Sequence, residues 1–321
     1  MTPAGGIMSD HHRDDHIRAR VAGVIGLGSM GMGVALSLLR GGFRVIGCDE
    51  APAKCMSLVT HGGEAAATPA ELGRQVDRVV ILVATADQVE SVLFGPDGIA
   101  ATLPKGGCVV QSATVPAAYA ADAGRRLADM GLLMLDAPVS GGPVKAAEGR
   151  MTVMASGPAE AFARAEDLLA AASGTLHRVG TEHGQGSVVK TINQLLAGVH
   201  IAASAEAMAF GIRAGVDPQR IYDVITSSAG NSWMFENRVP HILNGDYSPH
   251  SAVDIFVKDL GIVVDSARRM TFPTPLASTA LQMFTMAASA GLGREDDAAV
   301  IKIFERLAGI TLPQPNDNPE G

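Results

Sequence analysis

The chain has 321 residues, which suits two domains at roughly 100–200 residues each. Hydrophobic residues make up 47% and charged residues 18%, so a sizeable core can form and disorder over the whole length is excluded. The net charge of −8 comes without any run of Lys or Arg, which argues against nucleic acid as a partner and still leaves room for a small anion at one positive site.

Only 4% of residues are aromatic, so the core must be built from Ala, Val, Leu, Ile and Met. That favours closely packed helices over a barrel or a sandwich. The three cysteines, Cys48, Cys55 and Cys108, form no CxxC pair. An odd, scattered set argues against a disulfide framework and against a zinc site, so no metal is expected. It suits a reducing compartment, the cytoplasm.

Residues 1–19 are polar, with His11, His12 and His16 among Asp and Arg. They read as an exposed extension rather than a secretory signal or a metal-binding tail. Residues 21–25 form a short apolar strand that runs into a glycine-rich turn. Residues 33–40 follow as a helix, stopped by Gly41 and Gly42. Residues 43–48 make the next strand, and 79–83 and 108–111 two more. A helix over 117–130 leads to a strand at 132–136, and later strands fall at 151–156 and 174–179. This alternation implies an α/β fold with a mostly parallel sheet and helices on both faces.

The pattern changes near Gly184, and helical periodicity takes over. A long apolar helix runs from Gln185 to about Ala214. It carries Lys190, Asn193, Gln194, His200 and Glu206, groups costly in lipid, so it reads as a buried helix and no membrane partner is expected. Asp217-Pro218 opens another helix, and further helices fall at 252–270, 275–290 and 296–308. Residues 313–321 form a polar, Pro-rich tail. The division is therefore a dinucleotide-binding domain over 20–182 and an all-helical domain over 183–312.

The first chemical motif is Gly26-Leu27-Gly28-Ser29-Met30-Gly31. It follows a strand and opens a helix, the context that a GxGxxG turn requires. Gly26 permits the tight turn, Gly28 admits a pyrophosphate, and Gly31 lets helix and strand approach. The helix N-terminus offers unpaired N–H groups and the positive dipole end. Asp49 ends the next strand, about 20 residues on, where an acid accepts hydrogen bonds from ribose hydroxyls. A carboxylate there repels a 2′-phosphate and favours NAD over NADP. These marks point to a dinucleotide site in the N-terminal α/β domain.

The second constellation flanks the domain junction. Asp136-Ala137-Pro138-Val139-Ser140-Gly141-Gly142 follows a strand. Ser140 supplies a hydroxyl, and Gly141 and Gly142 supply N–H groups suited to a carboxylate. In Lys190-Thr191-Ile192-Asn193-Gln194 the two amides share a helix face with the lysine. Burial would pull that lysine toward a useful acid/base range; the alternative is a snorkelling lysine at a helix end. Lys258, in Phe256-Val257-Lys258-Asp259-Leu260, lies in an apolar helical stretch and suits either a ligand or an exposed acid. Asn231, Ser232 and Trp233 are open between substrate contact and core packing.

At these places the chain resembles the β-hydroxyacid dehydrogenase family, which includes 3-hydroxyisobutyrate dehydrogenases and tartronate semialdehyde reductases. The order matches: GLGSMG, then DAPVSGG, then GxGxxxK with Asn on the following helix, then KD in the helical domain. The resemblance covers about residues 20–310. It implies an active site between a Rossmann domain and a helical domain, often completed by homodimers or homotetramers. Lys190 then matches the catalytic lysine, and Ser140, Gly141 and Gly142 the loop that binds the substrate carboxylate. Thr114 matches the threonine beside the nicotinamide, and Lys258 the lysine close to the cofactor. Leu82 and Val83 match the backbone that passes the adenosine.

Within the family, KTINQLLAGVHIAASAEAMAFGIRAGVDP and SSAGNSWMFENRVPHILNGDYSPHSAVDIFVKDLG resemble the L-threonate dehydrogenase branch. That implies NAD-dependent oxidation of a small anionic four-carbon sugar acid at C2. A tartronate semialdehyde or 3-hydroxyisobutyrate enzyme, or a silent NAD-binding homologue, is the alternative. Two departures stand out. Many members carry a second Asn at i+4 from the lysine, where this chain has Gln194, which suits a more hydroxylated acid. The usual Asp-Ser-Ser-Thr reads Gln111-Ser112-Ala113-Thr114, and Pro116 stands one position early.

Overall fold

The computed structural model describes residues 20–315. The expected extension over 1–19 and most of the tail lie outside those residues. The first domain contains β1 (Val21–Ile25), α1 (Ser29–Arg40), β2 (Arg44–Cys48), α2 (Pro52–Thr60), β3 (Glu64–Ala65), α3 (Pro69–Gly73), β4 (Arg78–Ile81) and α4 (Ala86–Phe94). It continues with β5 (Cys108–Gln111), α5 (Ala117–Asp129), β6 (Leu133–Asp136), β7 (Val139–Ser140), α6 (Gly142–Ala147), β8 (Met151–Ser156), α7 (Ala159–Ala172) and β9 (Ser173–Gly180).

The sheet order is β3-β2-β1-β4-β5-β6-β8-β7, with β9 paired to β8. Strands β3 to β6 are parallel, whereas β8 runs antiparallel to β6 and β7. Alternate residues of each central strand enter opposite cores, as a period of two demands. Val24, Val80, Val110 and Leu135 face α1, α6 and α7. Ile25, Ile81, Val109 and Met134 face α3, α4 and α5. Both faces are covered, which explains why these strands read as continuous apolar runs.

The second domain holds α8 (Gln185–Arg213), α9 (Pro218–Thr226), α10 (Trp233–Leu243), α11 (Val253–Arg269), α12 (Pro275–Ala287) and α13 (Lys302–Ala308). Helix α8 is long and apolar enough to cross a membrane by length and composition. Its Ala197, Ile201, Ala205 and Met208 instead form the domain's core with Phe235, Phe256, Leu260 and Phe284. Ala197, Ala202, Ala205 and Ala209 of α8 are buried in this core, so the neighbouring helices can approach α8 closely.

Several expectations need correction. Helix α1 begins at Ser29, not residue 33, because the glycine turn leads straight into it. Strand β4 stops at Ile81, leaving Leu82 and Val83 in the following loop. Residues 296–308 are not one α-helix. A 3-10 turn over Asp297–Ile301, capped by the Asp296 side chain, precedes α13. Helix α12 ends at Ala287, and Gly291 then turns the chain at φ 88°. Strands β3 and β7 have two residues each, too short for a periodic signal.

Candidate active site

One cavity of about 1180 Å³ opens between the carboxyl edge of the sheet and the helical domain. It lies where the sheet order reverses between β1 and β4, the usual position for a nucleotide crevice. Gly26, Gly28, Ser29, Met30, Asp49, Leu82, Val83 and Thr114 line its sheet side. Ser140, Gly141 and Gly142 line the junction, and Lys190, Asn193, Gln194 and Lys258 the helical side. Of the residues singled out in the sequence, Leu27, Gly31, Asn231 and Ser232 are not in its lining, whereas Trp233 is.

The glycine turn shows why each glycine is there. Gly26 has φ 88°, and a Cβ on it would meet the Leu82 carbonyl oxygen at 2.6 Å. A Cβ on Gly31 would lie 1.8 Å from the Gly26 oxygen, so α1 can approach β1 only without one. A Cβ on Gly28 would meet nothing within 4 Å; it would project into the open crevice. Asp49 Oδ2 accepts from the Leu27 N–H at 2.7 Å, and Oδ1 from the Ala51 N–H at 2.9 Å. Leu27 therefore serves as a backbone strut, its side chain buried in the core. Burial works to raise the Asp49 pKa. The Ala51 and Leu27 N–H groups and the Lys54 ammonium outweigh it and hold the carboxyl below its ordinary value. This turn, with an ionised acid beside it, fits a dinucleotide carrying a free ribose diol.

Lys190 is aimed by a clamp at the start of α8. Asp136, at the end of β6, has no exposed surface. Its Oδ2 accepts from the N–H groups of Gly184 at 2.9 Å and Ser187 at 2.8 Å, and its Oδ1 accepts from the Ser187 hydroxyl at 2.7 Å. Ser156 Oγ accepts from the Gly186 N–H at 2.9 Å. These are donors that a helix N-terminus leaves unpaired, and a carboxylate there also meets the positive dipole end. Burial keeps the Asp136 carboxyl above its usual range despite these bonds. Gly186 must lack a side chain, since a Cβ would lie 2.4 Å from the Asp136 carbonyl oxygen. The GxGxxxK spacing is thus a docking device: two glycines seat the helix on the sheet, and the lysine follows one turn later.

Lys190 is 7% exposed. Burial pulls its pKa down to about 8, Asp259 works to raise it, and Lys258 works to lower it further. Asp259, 2% exposed, organises the neighbouring groups. Gln194 Nε2 donates to Asp259 Oδ2 at 2.5 Å, and Lys258 Nζ donates to Oδ1 at 2.6 Å. Asn193 Nδ2 donates to Gln194 Oε1 at 2.9 Å, and Lys258 also donates to the Thr114 carbonyl at 3.3 Å. One buried carboxylate therefore fixes Gln194, Asn193 and Lys258, and through Lys258 reaches the Thr114 loop across the cleft. Sequence reasoning left Asp259 without a role. Its only signal was its place beside Lys258.

The Thr114 loop is braced from within. Buried Gln111 accepts from the Ala113 N–H at 2.7 Å and donates to the Ala113 carbonyl at 3.1 Å. This departure from the family pattern closes a small ring that holds Ser112 and Thr114 at the cavity. Gly141 and Gly142 take φ 134° and 75°, conformations open to glycine, where the chain turns from β7 into α6. Trp233 is 52% exposed at the cleft, with Lys145 of α6 5.8 Å from its ring centroid. Ser232 instead caps α10 through the Phe235 N–H, and Asn231 bonds to the Thr226 carbonyl and Glu236.

A dinucleotide turn facing a helical domain, with a buried lysine of lowered pKa between them, defines a nicotinamide-dependent dehydrogenase. Residues 21–180 match the NAD-binding domain of 6-phosphogluconate dehydrogenase, and residues 184–304 match the family described as NAD-binding of NADP-dependent 3-hydroxyisobutyrate dehydrogenase. The chain is 63% identical to an L-threonate dehydrogenase of Cupriavidus necator, over 92% of this chain and 98% of that protein. It is 56% identical to one from Escherichia coli, over 91% and 96%. A crystal structure titled 3-hydroxyisobutyrate dehydrogenase from Salmonella typhimurium superposes with a TM-score of 0.85 at 55% identity, covering 89% of this chain and all of that one. The chain belongs to the β-hydroxyacid dehydrogenase family, and NAD is its cofactor.

Proposed function

We propose that the chain oxidises L-threonate to 2-dehydro-L-erythronate, with Lys190 as general acid/base. The observation that carries the chemistry is a buried lysine of lowered pKa between the glycine turn and the Ser140 loop. The choice of acid rests on the likeness to L-threonate dehydrogenases along nearly the whole chain.

The turn from Gly26 to Gly31 and the N-terminus of α1 would hold the pyrophosphate of NAD, and Asp49 its ribose. Leu82 and Val83 would line the adenosine side, and Thr114 and Lys258 the nicotinamide side. The bound cofactor would supply the hydride acceptor for C2. Ser140 and the N–H groups of Gly141 and Gly142 hold the substrate carboxylate, which fixes C2 in near-attack geometry, the larger catalytic contribution. Lys190 takes the C2 hydroxyl proton and returns it in the reverse direction. Gln194 and Asn193, fixed by Asp259, orient the substrate hydroxyls. A lysine near 8 supplies both protonation states around neutrality, as a reversible proton carrier requires.

We assign residues 20–182 to the cofactor and 183–312 to substrate and subunit contacts. Val188, Ile192 and Leu196, spaced four apart on α8, are 48%, 56% and 50% exposed, which supports a homodimer or homotetramer. Three free cysteines fit a cytoplasmic setting.

The test is NADH formation with a panel of three- and four-carbon hydroxy acids. L-threonate should give the highest kcat/KM, with NAD preferred to NADP. The 55% identical structure titled 3-hydroxyisobutyrate dehydrogenase supports a second reading, and a higher kcat/KM with 3-hydroxyisobutyrate would favour it. No turnover with any acid, despite NAD binding, would leave a binding protein.

A further inference from the structure

The helical wall of the cavity carries polar groups that the chemistry above does not use. Asn237, Arg238 and His241 of α10 line it, together with His250 and Ser251 ahead of α11. Behind them lie two consecutive aspartates with no exposed surface, Asp296 and Asp297. Buried acids contribute little net stability, so a pair of them in sequence calls for another reason.

Each aspartate orients a side chain of this wall. Asp296 Oδ1 accepts from His241 Nδ1 at 2.9 Å and from the Ala298 N–H at 3.1 Å. Its Oδ2 accepts from the His250 N–H at 2.9 Å. The bonds from His241, Ala298 and His250 hold the Asp296 carboxyl below its ordinary value, although burial works the other way. Asp297 grips Arg238, through Nε at 2.5 Å and Nη2 at 3.2 Å. Arg238 in turn donates through Nη1 to Asn237 Oδ1.

His241, His250 and Asp296 could be read as a metal site, since one ligand atom from each lies within 4.8 Å of the others. The bonding pattern speaks for a different use. The Asp296 oxygens already accept from three backbone N–H groups, those of His250, Ser251 and Ala298, and from an imidazole, the usual way a carboxylate sets a histidine tautomer. Donation from His241 Nδ1 to Asp296 makes Nε2 an acceptor in the neutral ring, and His241 lines the cavity. Asn237 has its oxygen committed to Arg238, so it brings an amide donor. A fixed acceptor and a fixed donor on one helix face match a hydroxyl group, which needs one of each. A carboxylate would prefer donors alone.

We propose that the α10 wall is a polyol subsite, in which His241, set by Asp296, and Asn237, set by Arg238, bind the distal hydroxyl groups of the substrate. This rests on the sugar-acid reading. The carboxylate loop and Lys190 engage C1 and C2, and the α10 wall distinguishes a hydroxylated chain from a plain one.

The experiment measures calorimetric affinity of the NADH-loaded enzyme for L-threonate and for 2-hydroxybutyrate, which lacks both distal hydroxyls. His241→Asn keeps a donor toward Asp296 and removes Nε2; His241→Gln returns a polar atom near the Nε2 position. Wild type should bind L-threonate at least about tenfold tighter than 2-hydroxybutyrate, the worth of one good hydrogen bond. His241→Asn should lose about that factor for L-threonate alone, and His241→Gln should regain most of it. Equal weakening for both acids would mean a merely structural histidine. No preference in wild type, or an unchanged preference in His241→Asn, would overturn the subsite. Failure of the sugar-acid reading shows separately, as absent turnover of L-threonate in the panel.

Discussion

The two walls of the cleft are built in different ways. The sheet wall is made of backbone: a glycine turn, helix N–H groups and one aspartate at a strand end. The helical wall is made of side chains, and buried acids position several of them, most from a distant part of the chain. Asp136 seats α8 beneath Lys190, Asp259 holds Gln194 and Lys258, and Asp296 holds His241. On the proposed function, backbone geometry would meet a cofactor of constant shape, and side chains that single substitutions can change would meet a substrate that varies between relatives.

The largest effect should come from the helical wall. Lys190→Ala should lower kcat for L-threonate oxidation by about 10²–10⁴-fold while leaving NAD affinity near wild type, since general acid–base groups contribute that much. Steady-state kinetics and a fluorescence titration of the cofactor separate the two. A comparable loss of NAD affinity would blur the division between the walls.

Removing the seat beneath the lysine should come next. Asp136→Ala leaves three donors at the head of α8 without their acceptor, and should cost on the order of 2 kcal/mol, the upper range for a lost helix cap. Thermal unfolding measures it, and kcat should fall with the misplaced helix. Unchanged stability would show that Ser156 alone seats the helix.

The sheet wall should respond to added bulk rather than lost groups. Gly31→Ala forces a Cβ onto the Gly26 oxygen and should cost about 1–3 kcal/mol of stability, as overpacking does. Gly28→Ala meets open space, so its stability should match wild type while NAD affinity falls. The reverse ranking would mean that the turn is held for folding and not for phosphate.

The same contrast explains which parts could be read from the residues. The run from β1 through the turn to α1 is local, so strand, glycines and helix reveal one another within a dozen positions. Lys190, Asn193 and Gln194 stand on one helix face, and helical spacing alone brings them together. Asp136 lies 48 residues from Gly184 and 51 from Ser187, and Gln194 lies 65 from Asp259. No periodicity couples such pairs. Residues 296–308 have the apolar spacing of one helix, yet tertiary bonds to His241 and Arg238 bury Asp296 and Asp297 and tighten the first turn. Helix α10 was hidden by Pro240 in its interior, although Ser232 at its cap was a usable start signal.

The most direct test of the account is the pH dependence of kcat/KM for L-threonate oxidation, in wild type and in Asp259→Asn. The neutral amine accepts the proton, so the rate should rise with pH and level off above a midpoint near 8. Asp259 works to raise the Lys190 pKa, so Asp259→Asn should move that midpoint to lower pH. A flat profile, or a midpoint that stays in place in the variant, would contradict Lys190 as the group that carries the proton.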